Sequence, residues 1–168
     1  MRADARRNRE RIVAAADAAV AEHGADASLE EVARRAGVGS ATLHRHFPTR
    51  QALLEAVFHD RVAALCARSA NASLVEWLRA VARHAAANRG LAASLLRGAD
   101  PALGETCHAM ITTAADALVA EARRAGAARP DVAAADLLKL ANAVSLAAEG
   151  DPAEADRLLA LALTGIAP

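Results

Sequence analysis

Apolar positions along this chain recur at helical spacing and nowhere alternate as they would in a strand. Ile12, Ala15, Ala16, Ala19 and Val20 fall at i, i+3, i+4, i+7 and i+8, which predicts a first helix over residues 5–22 with one buried stripe, closed by His23-Gly24. Ser28, followed three residues later by Glu31, reads as a capping box, and Leu29, Val32, Ala33 and Ala36 give the helix it opens one apolar face. Gly37-Val38-Gly39 then breaks the pattern, with Gly37 suited to a left-handed cap and Val38 to plugging the gap between helices. Ser40 is the expected cap of a second short helix, in which Leu43 and Phe47 anchor one side. Two short helices joined by a three-residue turn have the spacing of a helix-turn-helix.

The pattern continues as helices. Thr49 is the expected N-cap of a long helix to about residue 70, carrying Leu53, Leu54, Val57, Phe58, Val62 and Leu65. Ser73 and Glu76 form another capping box, opening a helix to about residue 87 with Leu74, Trp77, Leu78 and Val81. Gly90 and Gly98 frame a short helical piece, and Asp100-Pro101 opens a segment running to Arg124 that Gly104 could break early. In the last two helices, residues 131–148 and the stretch after Asp151-Pro152, apolar residues spread too far round for a single stripe. Two buried faces are implied, one for the domain's own core and one, through Leu137, Leu140, Val144, Leu158 and Leu161, for a second copy. A monomer with a fully enclosed helix pair is the alternative.

The expected fold is all-α: an N-terminal three-helix helix-turn-helix domain (residues 1–48), a connecting helix (49–70) and a C-terminal helical bundle (71–168). The 168 residues suffice to bury a real core. Net charge is zero, but residues 1–11 hold five arginines against Asp4 and Glu10, a basic arm able to meet phosphates or simply to be solvated. Hydrophobic residues make up 54%, much of it alanine, and charges interrupt every stretch short of the ~20 apolar residues a membrane span requires. With no apolar leader segment, the expected location is cytoplasmic. Cys66 and Cys107 lack metal-ligand spacing and read as buried thiols. No nucleophile-base pair, P-loop or dinucleotide motif is present, so an enzyme is not expected, nor a cofactor or metal.

On the second helix of the motif, Thr42, His44, Arg45 and His46 are left facing outward or sideways. A hydroxyl, a guanidinium and two imidazoles suit the base edges and phosphates of double-stranded DNA, although an ordinary helical corner with a polar surface would carry the same pattern. Arg45 is the first candidate for base readout, because guanidinium to guanine is the commonest specific contact, and Thr42 can meet a thymine methyl. Ser40, His46, Thr49 and Arg50 suit phosphate positioning, His44 suits either role, and Arg7 and Ser28 complete the DNA-facing set.

Over residues 7–58 the sequence resembles the DNA-binding domain of the TetR/AcrR family of bacterial transcriptional repressors. The likeness is carried by the Ser28 start, the Gly37-Val38 turn, Thr42-Leu43, His46-Phe47-Pro48, and Arg50 with Leu53-Leu54. His44 departs from the family's usual tyrosine and Ala41 from its usual glycine or lysine. The resemblance implies a homodimer joined by its last two helices, a phosphate contact from Arg50, and a small-molecule effector held in the C-terminal domain that releases the protein from a palindromic operator. Trp77, His84, Cys107, His108, Met110 and Asn142 are the candidates for lining such a pocket. With two phenylalanines, one tryptophan and no tyrosine, an alanine- and leucine-lined cavity is expected rather than an aromatic one. The rival reading is a helical interaction module whose helix-turn-helix does not read DNA.

Overall fold

The computed structural model describes residues 2–96 and 101–164, with side chains described for residues 4–92 and 103–164. Among these residues it is all-helical: α1 (Arg2–His23), α2 (Leu29–Ala36), α3 (Ser40–His46), α4 (Arg50–Ala67), α5 (Leu74–Ala87), α6 (Arg89–Leu96), α7 (Pro101–Arg124), α8 (Ala134–Ala147) and α9 (Pro152–Thr164). Two short 3-10 turns, Gly24–Asp26 and Arg68–Asn71, follow α1 and α4.

The chain folds as two compact units: Met1–Arg61 with Gly90–Leu103, and Val62–Arg89 with Gly104–Pro168. The boundary falls inside α4, whose Arg61 Nε donates to Asp17 Oδ1 of α1 at 2.5 Å, drawing that turn into the first unit. In this unit the expected α1 stripe is in place: Ile12, Ala16, Ala19 and Val20 are buried and Ala15 half-buried, packed with Val32, Ala33 and Ala36 of α2. Leu43 and Phe47, at 1% and 3% exposure, anchor α3 on Leu53, Leu54 and Val57 of α4. Fully burying a side chain such as Leu43 is worth about 1.5–3 kcal/mol, enough to fix which way so short a helix faces. In the second unit Ala82, Ala141 and Ala155 are all fully buried, so alanine is what lets α5, α8 and α9 approach closely.

Several helix ends differ from expectation. Ser28 Oγ accepts from the Glu31 N–H at 3.4 Å, but Glu31 does not reach back; its carboxylate is taken by Arg34 and Arg35, leaving half a capping box. Gly39, not Ser40, is the N-cap of α3, and Ser40 is its first helical residue. Thr49 does cap α4, its Oγ1 accepting from the Ala52 N–H at 3.1 Å. Ser73 and Glu76 complete the second capping box, and Asp151 caps α9 by accepting from Ala153 and Glu154. Gly104 does not interrupt α7, because it sits on an exposed turn where glycine costs only about 1 kcal/mol. The expected Asp100 cap lies outside the described residues.

Candidate nucleic-acid interface

The geometry of α3 follows from its anchors. With Leu43 and Phe47 buried, Ser40, Ala41, His44 and Arg45 are exposed and Thr42 and His46 half-buried. No acidic residue lies in α3, and His44, Arg45 and His46 crowd its last turn. Arg45 Nη2 donates to Thr42 Oγ1 at 3.2 Å, so the two candidate base readers are already paired along one helix face. His44 Nδ1 lies 3.0 Å from the Ser40 carbonyl and 3.4 Å from its hydroxyl, which orients the imidazole along the helix.

Neighbouring side chains brace the turn before this helix and the residue that ends it. Gly37 adopts φ 62°, ψ 38°, and its N–H bonds the carbonyls of Ala33 and Arg34, which turns the chain from α2 into α3. Arg11 Nη2 donates to the Gly37 carbonyl at 3.5 Å, and Arg9 lies over the Phe47 ring. Arg50 Nη1 donates to the carbonyls of Ala25 (3.1 Å) and Ala27 (2.9 Å), so its guanidinium staples the turn before α2. The phosphate contact expected of Arg50 competes with these bonds. Arg7 is paired with Asp4 one turn earlier, and Arg6 with Glu10 at 3.6 Å, so the basic arm is partly neutralised within α1 itself.

An ion-pair network locks α2 to α1. Arg35 binds Glu22 through Nη1 (2.8 Å) and Nη2 (2.6 Å) and Glu31 through Nε (2.6 Å), while Arg34 forks onto Glu31. The hydrogen bonds from Arg34 and then Arg35 bring the Glu31 carboxyl down to about 2, and Arg35 holds Glu22 low as well.

In the second unit an open cavity of about 600 Å³ lies against the N-terminal half of α5 and the turn after α4. Ala67, Ala72 and Ala80 line it together with three arginines, Arg68, Arg79 and Arg83, and no leucine does. Of the six pocket candidates only Trp77 is on its wall; it is 1% exposed, and its indole N–H donates to the Leu65 carbonyl at 3.0 Å. That bond satisfies one of the orphan carbonyls at the end of α4.

Two family descriptions together cover almost the whole chain. Residues 12–57 match bacterial regulatory proteins of the tetR family, and residues 69–168 match the SbtR-like transcriptional regulator C-terminal domain. The chain belongs to the TetR family of bacterial transcriptional regulators. Among solved structures it is similar to the TetR regulator SCO0520 from Streptomyces coelicolor, at 38% identity over 95% of this chain and 98% of that one, TM-score 0.73. A TetR regulatory protein from Mycobacterium vanbaalenii is 36% identical over 88% of this chain and 96% of that one, TM-score 0.73. LfrR from Mycobacterium smegmatis, solved in complex with proflavine, is 27% identical over 97% and 98%, TM-score 0.59. No match is found among curated proteins.

Other candidate residues of this TetR regulator are dispersed. His84 is half-buried in α5, where its carbonyl accepts from the Asn88 side chain at 2.8 Å. Cys107 is 4% exposed in α7, and burial, then the nearby Cys66, pushes its thiol up. His108 is exposed, Met110 half-buried and Asn142 exposed. None of these five lines the open cavity. On α8 and α9, Leu137, Leu140, Val144 and Leu158 are half-buried and Leu161 is 47% exposed, with Leu146 exposed as well. No helix among the described residues is long and apolar enough to cross a membrane. Sequence reasoning missed the positioning roles of Arg11, Arg50 and Arg35, for which nothing in the residue pattern distinguishes an inward guanidinium from an outward one.

Proposed function

We propose that this TetR-family regulator is a homodimeric repressor that reads a palindromic operator with α3 and leaves it when a small molecule binds the second unit. The observation that carries the DNA reading is α3 itself: Leu43 and Phe47 are buried, so Arg45, His44 and Ser40 are presented on an exposed face free of acidic side chains. A two-fold dimer with its reading helices about 34–36 Å apart would meet successive major grooves, which makes a palindrome the matching site. The exposed Leu161 and the half-buried Leu137, Leu140, Val144 and Leu158 supply an apolar face for the second copy. Release by a small molecule is supported by the open cavity beside Trp77 and by LfrR, a relative that holds proflavine. An effector works here only through different affinities for the DNA-bound and free arrangements.

The test is a band-shift titration on operator variants across a salt series. Arg45→Ala should cost about 1–3 kcal/mol on the preferred operator and relax one base position. An equal loss on every DNA sequence would make Arg45 a backbone contact, and the absence of any sequence preference in the unaltered protein would favour an interaction module instead.

A further inference from the structure

We propose that the open cavity against α5 is a carboxylate site, in which a small organic monocarboxylate pairs with the guanidinium donors of Arg68, Arg79 and Arg83 that Asp156 leaves unused. This rests on the reading that the second unit takes a small-molecule effector, and it names that effector's chemistry.

The charge around the cavity is unbalanced. Arg68, Arg79 and Arg83 line it together with Glu76. The Glu76 carboxylate is turned toward the start of α5, where Oε2 accepts from the Ser73 N–H at 2.9 Å and hydroxyl at 2.7 Å. Asp156, from α9, is the one carboxylate bonded to these arginines among the described residues. It accepts side-on from Arg79, at 3.0 Å from Nε and 2.5 Å from Nη2, and from Arg83 Nη1. Three guanidiniums therefore face two carboxylates, an excess of one positive charge. A tether between α5 and α9 needs one arginine on Asp156; the second arginine, and Arg68 beyond it, are left with donors directed at nothing else among the described residues.

Exposure agrees with this division. The side chains of Arg79 and Arg83 keep 39% and 37% of their surface, whereas Asp156 keeps 20%, so the cations remain reachable after the resident anion is covered. The arginine fork matches the two oxygens of a planar carboxylate, as Arg79 on Asp156 already demonstrates. Trp77, Ala72 and Ala80 offer an apolar wall beside the charges, which suits an anion carrying a hydrocarbon body. A singly charged ligand brings the cluster to neutrality; a phosphate dianion overshoots it. Trp77 also holds the Leu65 carbonyl at the end of α4, so a ligand on this wall lies beside the buried residue that secures that helix.

Trp77 is the sole tryptophan, so its fluorescence reports directly on this cavity. The full chain would be titrated with sodium acetate, hexanoate and decanoate, with hexanamide as neutral control and inorganic phosphate as anion control, at constant ionic strength. At least one carboxylate should give a saturable change, hexanamide none, and phosphate a weaker one. Arg68→Ala, at an exposed position with no partner among the described residues, should weaken the carboxylate roughly tenfold, the value of a lost charge-assisted bond pair. Asp156→Asn should tighten it; circular dichroism checks that variant's fold, and Arg68→Ala decides the matter if the fold is lost. No saturable response to any carboxylate, a response to hexanamide equal to hexanoate, phosphate binding as tightly as carboxylate, or an unchanged affinity in Arg68→Ala would each overturn the site. Operator release is scored separately by band shift with the same compounds. Binding at Trp77 without release removes the effector role and leaves the site, whereas release without a Trp77 response does the reverse.

Discussion

Arg9 holds its guanidinium carbon 5.2 Å from the centroid of the Phe47 ring, so the start of α1 is fastened to the residue that closes the recognition helix. At an exposed site such a contact is worth about 0.5–1 kcal/mol. Phe47 meanwhile has its own place in the core at 3% exposure, so its replacement alone mixes two effects. A double-mutant cycle of Arg9→Ala and Phe47→Leu, followed by urea unfolding, separates them. We expect a coupling energy in the range just given; a coupling of zero would mean that Arg9 merely lies near the ring.

Arg50 should behave first as a structural residue. Its bonds to the Ala25 and Ala27 carbonyls are charge-assisted, and Arg50→Ala should lower unfolding stability by about 1.5–3 kcal/mol. The salt dependence of operator binding distinguishes this role from phosphate contact. Loss of one phosphate contact lowers the slope of log K against log salt by about 1, and we expect the Arg50→Ala slope to remain that of the unaltered protein.

Gly37 sits at φ 62°, where a side chain is strained whatever the space around it. A Cβ built there would also come 2.6 Å from Arg11 Nη2, but that atom is the far end of a flexible side chain, held to the Gly37 carbonyl only by a long 3.5 Å bond, and can move aside. Gly37→Ala should therefore destabilise by about 1–2 kcal/mol through the backbone. Adding Arg11→Ala should restore little of it. Full recovery of Tm in the double variant would show that the clash, not the left-handed backbone, sets the cost.

How far the molecule could be read from its sequence depended on whether a feature is local. Helix periodicity, the Gly37 cap, the Ser73–Glu76 box and the burial of Leu43 and Phe47 all follow from residues within a few positions of each other, and all stand in the structure. Which side chains pair across helices does not follow from spacing. Arg35 meets Glu22 thirteen residues away and Arg79 meets Asp156 seventy-seven away, and nothing near any of them marks the partner. The same limit explains the cavity. Arg68, in the turn after α4, and Arg79 and Arg83, one helical turn apart on α5, look like ordinary surface charges, and their convergence on one opening is a product of how that turn, α5 and α9 pack. The half capping box at Ser28 is a local competition instead: Arg34 and Arg35, three and four residues on, take the Glu31 carboxylate, and only the anchoring of Arg35 by Glu22 comes from a distance.

That network gives the first unit an acid dependence. Glu31 titrates at about 2 in the folded protein against an ordinary value of 4.5, lowered by its bonds to Arg34 and Arg35. A carboxyl with a depressed folded value binds its proton more readily in the unfolded chain, so its contribution is complete above pH 4.5 and is lost as pH falls from there toward 2. Glu31→Gln cannot form the ion pairs at any pH. The difference in Tm between the unaltered protein and Glu31→Gln should therefore be constant at neutral pH and shrink between those two values. Because the Glu31 side chain keeps 26% of its surface exposed, salt should narrow the difference at neutral pH as well. Glu22 is also held low by Arg35 and adds to acid unfolding in both proteins, which is why the difference between variants, rather than either curve alone, is the quantity to follow. A gap that stays the same from pH 7 down to the acid limit would mean that Glu31 stabilises α2 by packing and shape and that its charge contributes nothing.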